Sequence, residues 1–174
     1  MPVSVFVGTS VDGFIARLDG TFDFLGGDDT EPHGYEEFFA TVDAVVMGRN
    51  TFEVVAGFGS WPYQQKRVVV LSSRTVDLSP GRGAKLEQMS GEPADIVAKL
   101  AATGAHHLYV DGGITVQRFL NAGLVDRITV TRVPVLIGSG IPLFGAVPRD
   151  ISLRHVATST YRGGLVKSEY EVVK

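Results

Sequence analysis

Three short stretches of the chain place glycine, hydroxyl and arginine side chains directly after runs of strand-forming residues. They read GRNT at residues 48–51, LSSR at 71–74 and DGGIT at 111–115. An arginine guanidinium binds phosphate oxygens through two parallel hydrogen bonds, and glycine lets a ligand approach the main chain closely. Together the stretches predict a site for a ligand with several phosphates, such as a nucleotide, although each one alone also fits an ordinary turn.

The third stretch lies within residues 106–124, around which the chain is organised. Apolar residues 108–110 predict a buried strand, and Gly112 and Gly113 follow directly after Asp111. Apolar side chains then recur at helical spacing, at Val116, Phe119, Leu120 and Leu124. The start of such a helix offers unpaired N–H groups and the positive end of its dipole, which suits a phosphate or an electron-rich ring. The alternative is a tight turn that needs glycine for its geometry alone.

Strand and helix patterns alternate along the rest of the chain. Strands are predicted at residues 3–7, 44–47, 67–76, near Leu86 and after residue 126, and helices at 35–42, after Asn50 and at 94–104. Asn50 and Glu53 fit a capping pattern for the second of these helices. Residues 166–172 alternate in polarity after Gly163-Gly164, which predicts an antiparallel hairpin with a two-residue turn.

This order predicts one α/β domain over residues 1–174, with a mostly parallel central sheet and an antiparallel C-terminal hairpin. Ligands of such sheets bind at the carboxyl ends of the strands, where the three stretches lie. The fingerprints GxGxxG and GxxxxGK followed by serine or threonine do not occur. The absence of these fingerprints means that neither a standard Rossmann domain nor a P-loop NTPase is supported.

Residues 10–32 are rich in glycine and aspartate but also carry apolar side chains such as Ile15 and Phe24. A long loop in a compact domain is usually functional or disordered, and the apolar side chains argue against disorder. We interpret this segment as a lid over a cleft, with Phe24 facing the substrate. Asp12 is either a turn former or a catalytic acid.

Asp111 is the strongest candidate for a catalytic acid, because it ends the central strand inside the predicted cleft. Its alternative role is a helix cap. Phe38 and Phe39 of the first predicted helix are expected to lie in the core with one ring at the edge of the cleft, and Phe39 is the one assigned to the substrate. The four histidines show no metal-ligand spacing, so no metal site is predicted.

Composition narrows the functional class. The 174 residues are 44% hydrophobic and 20% charged, the net charge is −3, and cysteine is absent. The charge does not favour binding to nucleic acid. The absence of cysteine excludes disulfides, thiol nucleophiles and cysteine metal ligands. No signal peptide and no apolar run long enough for a membrane span is found, so the expected location is cytoplasmic.

Several motifs together resemble the dihydrofolate-reductase-like superfamily. They are SVDGFIA, VVMGRNTFE, RVVVLSSR and LYVDGGITVQRFLNAGLVDRITVTRVPVLIGSGIPLF, in that order along nearly the whole chain. More specifically, SVDGFIA and LVDRI with PVLIGSGIPLF resemble signatures of the C-terminal reductase domain of bifunctional riboflavin-biosynthesis proteins and its stand-alone relatives. The resemblance implies a three-layer fold with helices on both faces of the sheet.

The resemblance also implies NADPH as cofactor. Arg49 and Thr51 would hold the 2′-phosphate and the pyrophosphate, and Ile15 and Ala16 would flank the nicotinamide. The remaining residues implied at the cofactor are Gly48, Leu71, Ser72, Ser73, Arg74, Gly112, Gly113, Ile114, Thr115 and Val116. A cis peptide bond is expected between the two adjacent glycines.

The implied activity is hydride transfer from NADPH to a pyrimidine-like or pterin-like heterocycle, as in 5-amino-6-(5-phosphoribosylamino)uracil reductase. The riboflavin branch has a substrate-contacting lysine near the position of Phe6, and a glutamate where this chain has Asp111. Dihydrofolate reductases instead place a carboxylate on the first helix, a role that Glu36 or Glu37 would take here; a solvated helix face is the alternative.

Dihydrofolate reductase activity is thus the first alternative function. A non-catalytic nucleotide-binding module and a plain interaction domain are two further alternatives. The resemblance also implies a homodimer, for which the apolar segment 133–144 is a candidate contact.

Overall fold

A mixed β-sheet forms the centre of the molecule, as the computed structural model of residues 1–26, 31–81 and 84–174 describes it. The strands within these ranges are β1 (Val3–Ser10), β2 (Phe14–Ala16), β3 (Ala44–Gly48), β4 (Arg67–Leu71), β5 (Lys85–Met89), β6 (Leu108–Asp111), β7 (Arg127–Val133), β8 (Ile141–Pro142), β9 (Leu153–Thr160) and β10 (Val166–Val172). Eight of them form one sheet in the order β5-β4-β3-β6-β1-β7-β10-β9. The first six strands in this order are parallel, whereas β10 is antiparallel to both of its neighbours.

Helices cover both faces of this sheet. They are α1 (Tyr35–Ala40), α2 (Arg49–Ala56), α3 (Pro93–Ala102) and α4 (Gly113–Asn121). Phe39 of α1 and Phe52 of α2 pack in one core with Val45 and Met47 of β3. The opposite core joins α3 and α4 to alternate residues of β1, and its helical members are Ile96, Leu100, Val116, Phe119 and Leu120. The predicted three-layer arrangement with a mostly parallel sheet is therefore confirmed.

The apolar sequences of β3 and β4 explain their central positions. Residues 44–47 and 68–71 are all buried, with Val45 facing the α2 side and Val46 facing the α4 side. A strand that is covered on both faces needs a continuous apolar run instead of an alternating one. Both strands therefore lie inside the sheet, with a neighbouring strand on each side. Helix α2 starts directly at the end of β3.

The strand register brings the three polar exits side by side. Gly48 of β3 pairs with Leu71 of β4, and Met47 of β3 pairs with Asp111 of β6. Because all three strands are parallel, the residues that follow them leave the sheet at the same edge. The predicted convergence of the three stretches is therefore present in the fold.

A small antiparallel ribbon of β2 and β8, which the sequence pattern did not predict, lies beside the main sheet. The main-chain N–H of Leu143 donates to the carbonyl of Gly13 at 3.0 Å, which extends the contact between the two loops. The predicted lid over residues 10–32 thus contains a strand, followed by a short 3-10 turn at Asp23–Leu25. Residues 27–30 of this segment lie outside the described residues.

Two local predictions were wrong. Helix α2 begins at Arg49 with Gly48 as its N-cap and no side-chain capping bond, so Asn50 already lies inside the helix and cannot cap it. The C-terminal hairpin is present, but its strands end at Thr160 and resume at Val166. Five residues therefore connect them, because the chain makes a 3-10 turn before it reverses.

No helix in the described ranges is both long enough and apolar enough to cross a membrane. The same residues contain no group of three or more histidine, aspartate and glutamate side chains arranged to hold a metal ion.

Candidate functional site

Two helices begin without a side-chain cap at the shared strand edge. Helix α2 starts after Gly48 and helix α4 after Gly112, and neither glycine can supply a capping oxygen. The first N–H groups of a helix have no partner within it, and the helix dipole makes this end positive. The edge therefore presents two sets of main-chain donors, an arrangement suited to anionic groups.

Glycine lets the two helix starts approach each other. A Cβ atom on Gly48 would lie 3.1 Å from Thr115 Oγ1, and one on Gly112 would overlap the hydroxyl of Thr51. Gly112 also has a φ of 91°, a conformation that side chains of L-residues rarely adopt. Each helix thus carries a threonine hydroxyl that lies against the glycine preceding the other helix.

The expected cis peptide bond between Gly112 and Gly113 is not present. No cis bond occurs among the residues that the structure describes, so this prediction was wrong. The left-handed φ of Gly112, together with its ψ of 135°, redirects the chain from β6 into α4 with a trans bond.

The ribbon of β2 and β8 packs directly over the second glycine. A Cβ atom on Gly113 would lie 2.7 Å from the carbonyl oxygen of Pro142 and 3.2 Å from Ile15 Cδ1. Ala16, the last residue of β2, is buried, and Ile15 is half-buried. Of the two residues expected beside the nicotinamide, Ile15 therefore lies next to the glycine turn; the roles of Ile15 and Ala16 toward a cofactor stay predictions.

Two arginines follow the exits of β3 and β4. Arg49 Nη1 lies 3.7 Å from Glu53 Oε1, which is too long for a hydrogen bond, and its side chain is 42% exposed. Ser73 and Arg74 are exposed, and Ser72 is half-buried beside buried Leu71. Uncapped helix starts, hydroxyl groups and accessible guanidinium groups fit a dinucleotide with several phosphates.

The remaining implied residues belong to the first turn of α4. Ile114 is exposed, whereas Thr115 and Val116 are buried. Val116 is part of the core between α4 and the sheet. Its side chain anchors the helix, so a ligand at this edge meets the main chain here.

Asp111 lies at the back of this edge and has both carboxylate oxygens engaged. Tyr63 Oη donates to Oδ2 at 2.9 Å, and the main-chain N–H of Gly112 donates to Oδ1 at 2.8 Å. Burial raises the pKa of Asp111 above its ordinary value, and these two hydrogen bonds offset part of the rise. The Asp111 carboxyl therefore takes up a proton more readily than an exposed aspartate does. The same side chain is also hydrogen-bonded to the glycine turn.

Three tyrosines surround this carboxyl. Burial, followed by the negative charge of Asp111, raises the pKa of Tyr35, Tyr63 and Tyr109 above that of a free tyrosine. Neutral phenols at neutral pH are hydrogen-bond donors and acceptors without charge. Asp111 therefore ionises at a lower pH than the three tyrosines around it.

An aromatic wall formed by Phe6, Tyr35 and Phe38 continues from the tyrosine cluster. The ring of Phe6 stacks on Phe38 with centroids 4.9 Å apart and meets Tyr35 edge-on at 5.5 Å. Phe6 lies two residues beyond Ser4, which pairs with Tyr109, so it faces the same side of the sheet as Asp111. An apolar side chain thus occupies the position at which the family resemblance implies lysine.

Asp12 is held by the main chain of the β7–β8 connection. Its carboxylate accepts hydrogen bonds from the N–H groups of Gly138 at 2.8 Å and Ile137 at 3.3 Å. A hydrogen bond with Ser10 is the largest cause that lowers the pKa of Asp12, and the N–H of Gly138 adds to it. These contacts favour the carboxylate, a poor proton donor at neutral pH, and they support the turn role over the catalytic one.

The three substrate residues named from sequence occupy different environments. Phe39 is buried against the ring of Tyr35, with centroids 5.5 Å apart. Phe24 is half-buried and lies 5.5 Å from the guanidinium of Arg17. Glu36 is exposed on α1, as is its neighbour Glu37. Their roles toward a substrate stay predictions.

Sequence reasoning missed Tyr63 and Gln88. Tyr63 contacts Asp111 across 48 positions of sequence, and Gln88 binds the main chain after β4. Neither residue belongs to a motif or to a helix cap. Only the strand near Leu86, which was predicted, gave any indication that residue 88 adjoins the exit of β4.

Comparison with known proteins agrees with this architecture. The sequence profile of the RibD C-terminal domain family matches residues 2–167. The uncharacterized protein YwjB of Bacillus subtilis (strain 168) is 31% identical over 169 residues, which cover 95% of each chain.

Two solved structures extend the comparison. A protein from Shewanella sp. PV-4, whose name links it to riboflavin biosynthesis, has a TM-score of 0.92 at 36% identity over 100% of both chains. Dihydrofolate reductase from Enterococcus faecalis has a TM-score of 0.69 at 15% identity, with coverage of 99% of this chain and 97% of the other. The second likeness concerns the fold alone, and it confirms the predicted dihydrofolate-reductase-like fold.

Proposed function

The chain belongs to the RibD C-terminal domain family, and on that premise we propose that it is an NADPH-dependent reductase of a small nitrogen heterocycle. Within the riboflavin-pathway-type reductases, we assign NADPH as the cofactor and a pyrimidine-like or pterin-like heterocycle as the substrate. A cytoplasmic location is part of the same proposal.

One observation carries the assignment of the cofactor. The uncapped starts of α2 and α4 lie in contact at the same sheet edge, with Thr51 against Gly112 and Thr115 against Gly48. A pyrophosphate needs several donors that converge from different directions. Residues 48–51, 71–74 and 112–116 would hold NADPH, with an arginine on each of the first two segments.

NADPH supplies the hydride for this class of reaction. The chain has to orient the acceptor, exclude water and deliver a proton to the reduced nitrogen or oxygen. The β2–β8 ribbon over Gly113 excludes water from the nicotinamide end through Ile15 and Ala16. Asp111 is the proposed source of the proton, because its raised pKa keeps a larger protonated fraction than an exposed aspartate has.

The aromatic wall guides the choice of substrate. A flat heterocycle packs well against the stacked rings of Phe6 and Phe38. Phe6 offers no cation for a phosphate group, in contrast to the lysine that the family resemblance implies there. We therefore propose a heterocycle without a phosphoribosyl group as the first candidate substrate and the phosphoribosylated pyrimidine as the second.

Dihydrofolate reduction is the alternative within the same chemistry. It requires a carboxylate that faces the pterin, and the two candidates on α1, Glu36 and Glu37, are both exposed. Asp111 is the acid on the sheet side of the cleft, so it would have to take that role.

A substrate panel tests the proposal. NADPH is first titrated into the protein while nicotinamide fluorescence is followed. Oxidation of NADPH is then measured with dihydrofolate, a biopterin, and the pyrimidine intermediate of riboflavin biosynthesis with and without its phosphate group. Micromolar binding and turnover of the unphosphorylated pyrimidine or the biopterin are expected. Binding without any turnover would indicate a nucleotide-binding module, and absence of binding at millimolar NADPH would indicate an interaction domain.

The oligomeric state is a separate proposal. Leu136 and Phe144, within the 133–144 segment, are 71% and 47% exposed. We propose that these side chains contribute to a homodimer contact. Size-exclusion chromatography with light scattering should give twice the monomer mass, and a monomer at high micromolar concentration would contradict the proposal.

A further inference from the structure

Gln88 of β5 binds the main chain of the loop that follows β4. Its Nε2 donates to the carbonyl oxygens of Ser72 at 3.0 Å and Arg74 at 2.8 Å. Its Oε1 accepts from the N–H of Val76 at 2.9 Å. One carboxamide thus satisfies three main-chain groups within five residues, which we call the 72–76 loop.

Ser72 adds two hydrogen bonds within the same loop. Its hydroxyl donates to the carbonyl of Arg74 at 2.7 Å and accepts from the N–H of Arg74 at 3.1 Å. Both main-chain polar groups of Arg74 are therefore bonded, and its carbonyl has donors on two sides. The side chain of Arg74 is exposed, so the contacts fix the origin of this side chain and leave its guanidinium accessible.

The loop starts beside the first turn of α2. Leu71 pairs with Gly48, the N-cap of that helix, and the N–H of Ser72 donates to the carbonyl of Met89 at 3.0 Å. Arg49 follows Gly48 directly. The exit of β4 therefore brings the Arg74 loop to the same end of the site as Arg49.

We propose that Gln88 is a positioning residue for the cofactor: it holds the 72–76 loop so that Arg74 meets the ribose phosphate of NADPH, and it thereby sets the preference for NADPH over NADH. The inference rests on the proposed function. A loop that is ordered before binding avoids the entropic cost of being ordered by the ligand. Only a ligand that contacts the loop gains from this order, so loss of the Gln88 contacts weakens NADPH selectively.

The variant Gln88→Met tests this role, because methionine has a similar length and forms none of the three bonds. Gln65→Met is the matched control: Gln65 is exposed before β4, at the opposite edge of the sheet. Dissociation constants for NADPH and NADH are measured by nicotinamide fluorescence. Deuterium exchange of the peptide that contains Val76 is measured without ligand.

For Gln88→Met we expect faster exchange in the 72–76 loop and about tenfold weaker binding of NADPH, which corresponds to about 1.4 kcal/mol. NADH binding should change less than twofold, and Gln65→Met should match the native protein in every measurement. Unchanged exchange, or equal changes for both nucleotides, would overturn the role of Gln88 while leaving the proposed function intact. A native protein that binds neither nucleotide would overturn the proposed function and this inference with it.

Discussion

The hydroxyl of Tyr63 donates a hydrogen bond to Oδ2 of Asp111 over 2.9 Å, and this bond links the loop before β4 to the end of β6. The other oxygen of the same carboxyl accepts from the N–H of Gly112. Asp111 therefore has two functions to separate: it anchors the glycine turn, and we propose that it supplies a proton.

The substitution Asp111→Asn separates these functions. Asparagine keeps an oxygen for the N–H of Gly112, and its amide can donate to the hydroxyl of Tyr63, but it has no carboxyl proton. We expect turnover to fall by about 10²- to 10⁴-fold, the range for loss of general acid catalysis, and NADPH affinity to change little. Steady-state kinetics and fluorescence titration measure the two effects. Asp95→Asn, on the exposed side of α3, is the control, and unchanged turnover of Asp111→Asn would reduce Asp111 to an anchor.

Arg49→Ala should distinguish the two nicotinamide cofactors. Only NADPH carries the 2′-phosphate, and a hydrogen bond to a charged group contributes about 1.5–3 kcal/mol, or roughly 10- to 150-fold in affinity. We expect NADPH binding to weaken by a factor in this range and NADH binding to weaken far less. Arg154→Ala, on the edge strand β9, controls for the loss of positive charge. Equal losses for NADPH and NADH would remove Arg49 from the phosphate site.

Gly112→Ala should destabilise the fold. The φ of 91° disfavours any side chain, and the new Cβ would overlap the Thr51 hydroxyl. Gly104 is a matched control, because its φ is 90° and a Cβ there would have no neighbour within 4 Å. We expect Gly104→Ala to cost about 1 kcal/mol from backbone strain and Gly112→Ala about 1–2 kcal/mol more. Urea unfolding measures both, and equal losses would argue against the close contact with Thr51.

His107 should make stability depend on pH below its ordinary pKa of 6.5. Burial lowers the pKa of His107 in the fold, against a smaller opposite effect of the Thr41 carbonyl and Asp43, and Nε2 lies 2.8 Å from Ser4 Oγ. The unfolded chain therefore binds a proton at a higher pH than the folded chain does. The free energy of unfolding should be fully retained above pH 6.5 and decline as the pH falls toward the folded pKa.

The variant His107→Gln isolates this effect. Glutamine does not titrate, so the decline between pH 6.5 and 5 should be shallower in the variant than in the native protein. Urea unfolding at pH 5, 6 and 7.5 measures both slopes. Parallel slopes would show that other groups cause the pH dependence.

Local signals were sufficient to predict the elements that carry the site. The apolar runs before Gly48 and before Asp111 predicted buried parallel strands, and their glycines predicted where the chain leaves the sheet. The convergence of the three strand exits at one edge then followed from the parallel arrangement. These features depend on neighbouring residues, so a single sequence contains them.

Contacts between distant residues were not predictable in the same way. Nothing near Tyr63 indicates Asp111 as its partner, and nothing near Gln88 indicates that it binds the loop after β4. The start of α2 was misplaced because Asn50 matches a capping pattern, whereas Gly48 fills the cap position without a side chain. In each case the deciding interaction is set by the tertiary fold.

The ribbon of β2 and β8 joins two connections that are about 125 residues apart, as the bond from the N–H of Ile137 to Asp12 illustrates. A displacement of either connection beside Gly113 therefore disturbs the other, since the two are hydrogen-bonded to each other. An inserted or deleted residue in either connection is therefore expected to change the position of the other connection beside Gly113. A change in the sequence of one loop is thus expected to need a matching change in the other, while the sheet beneath them stays the same.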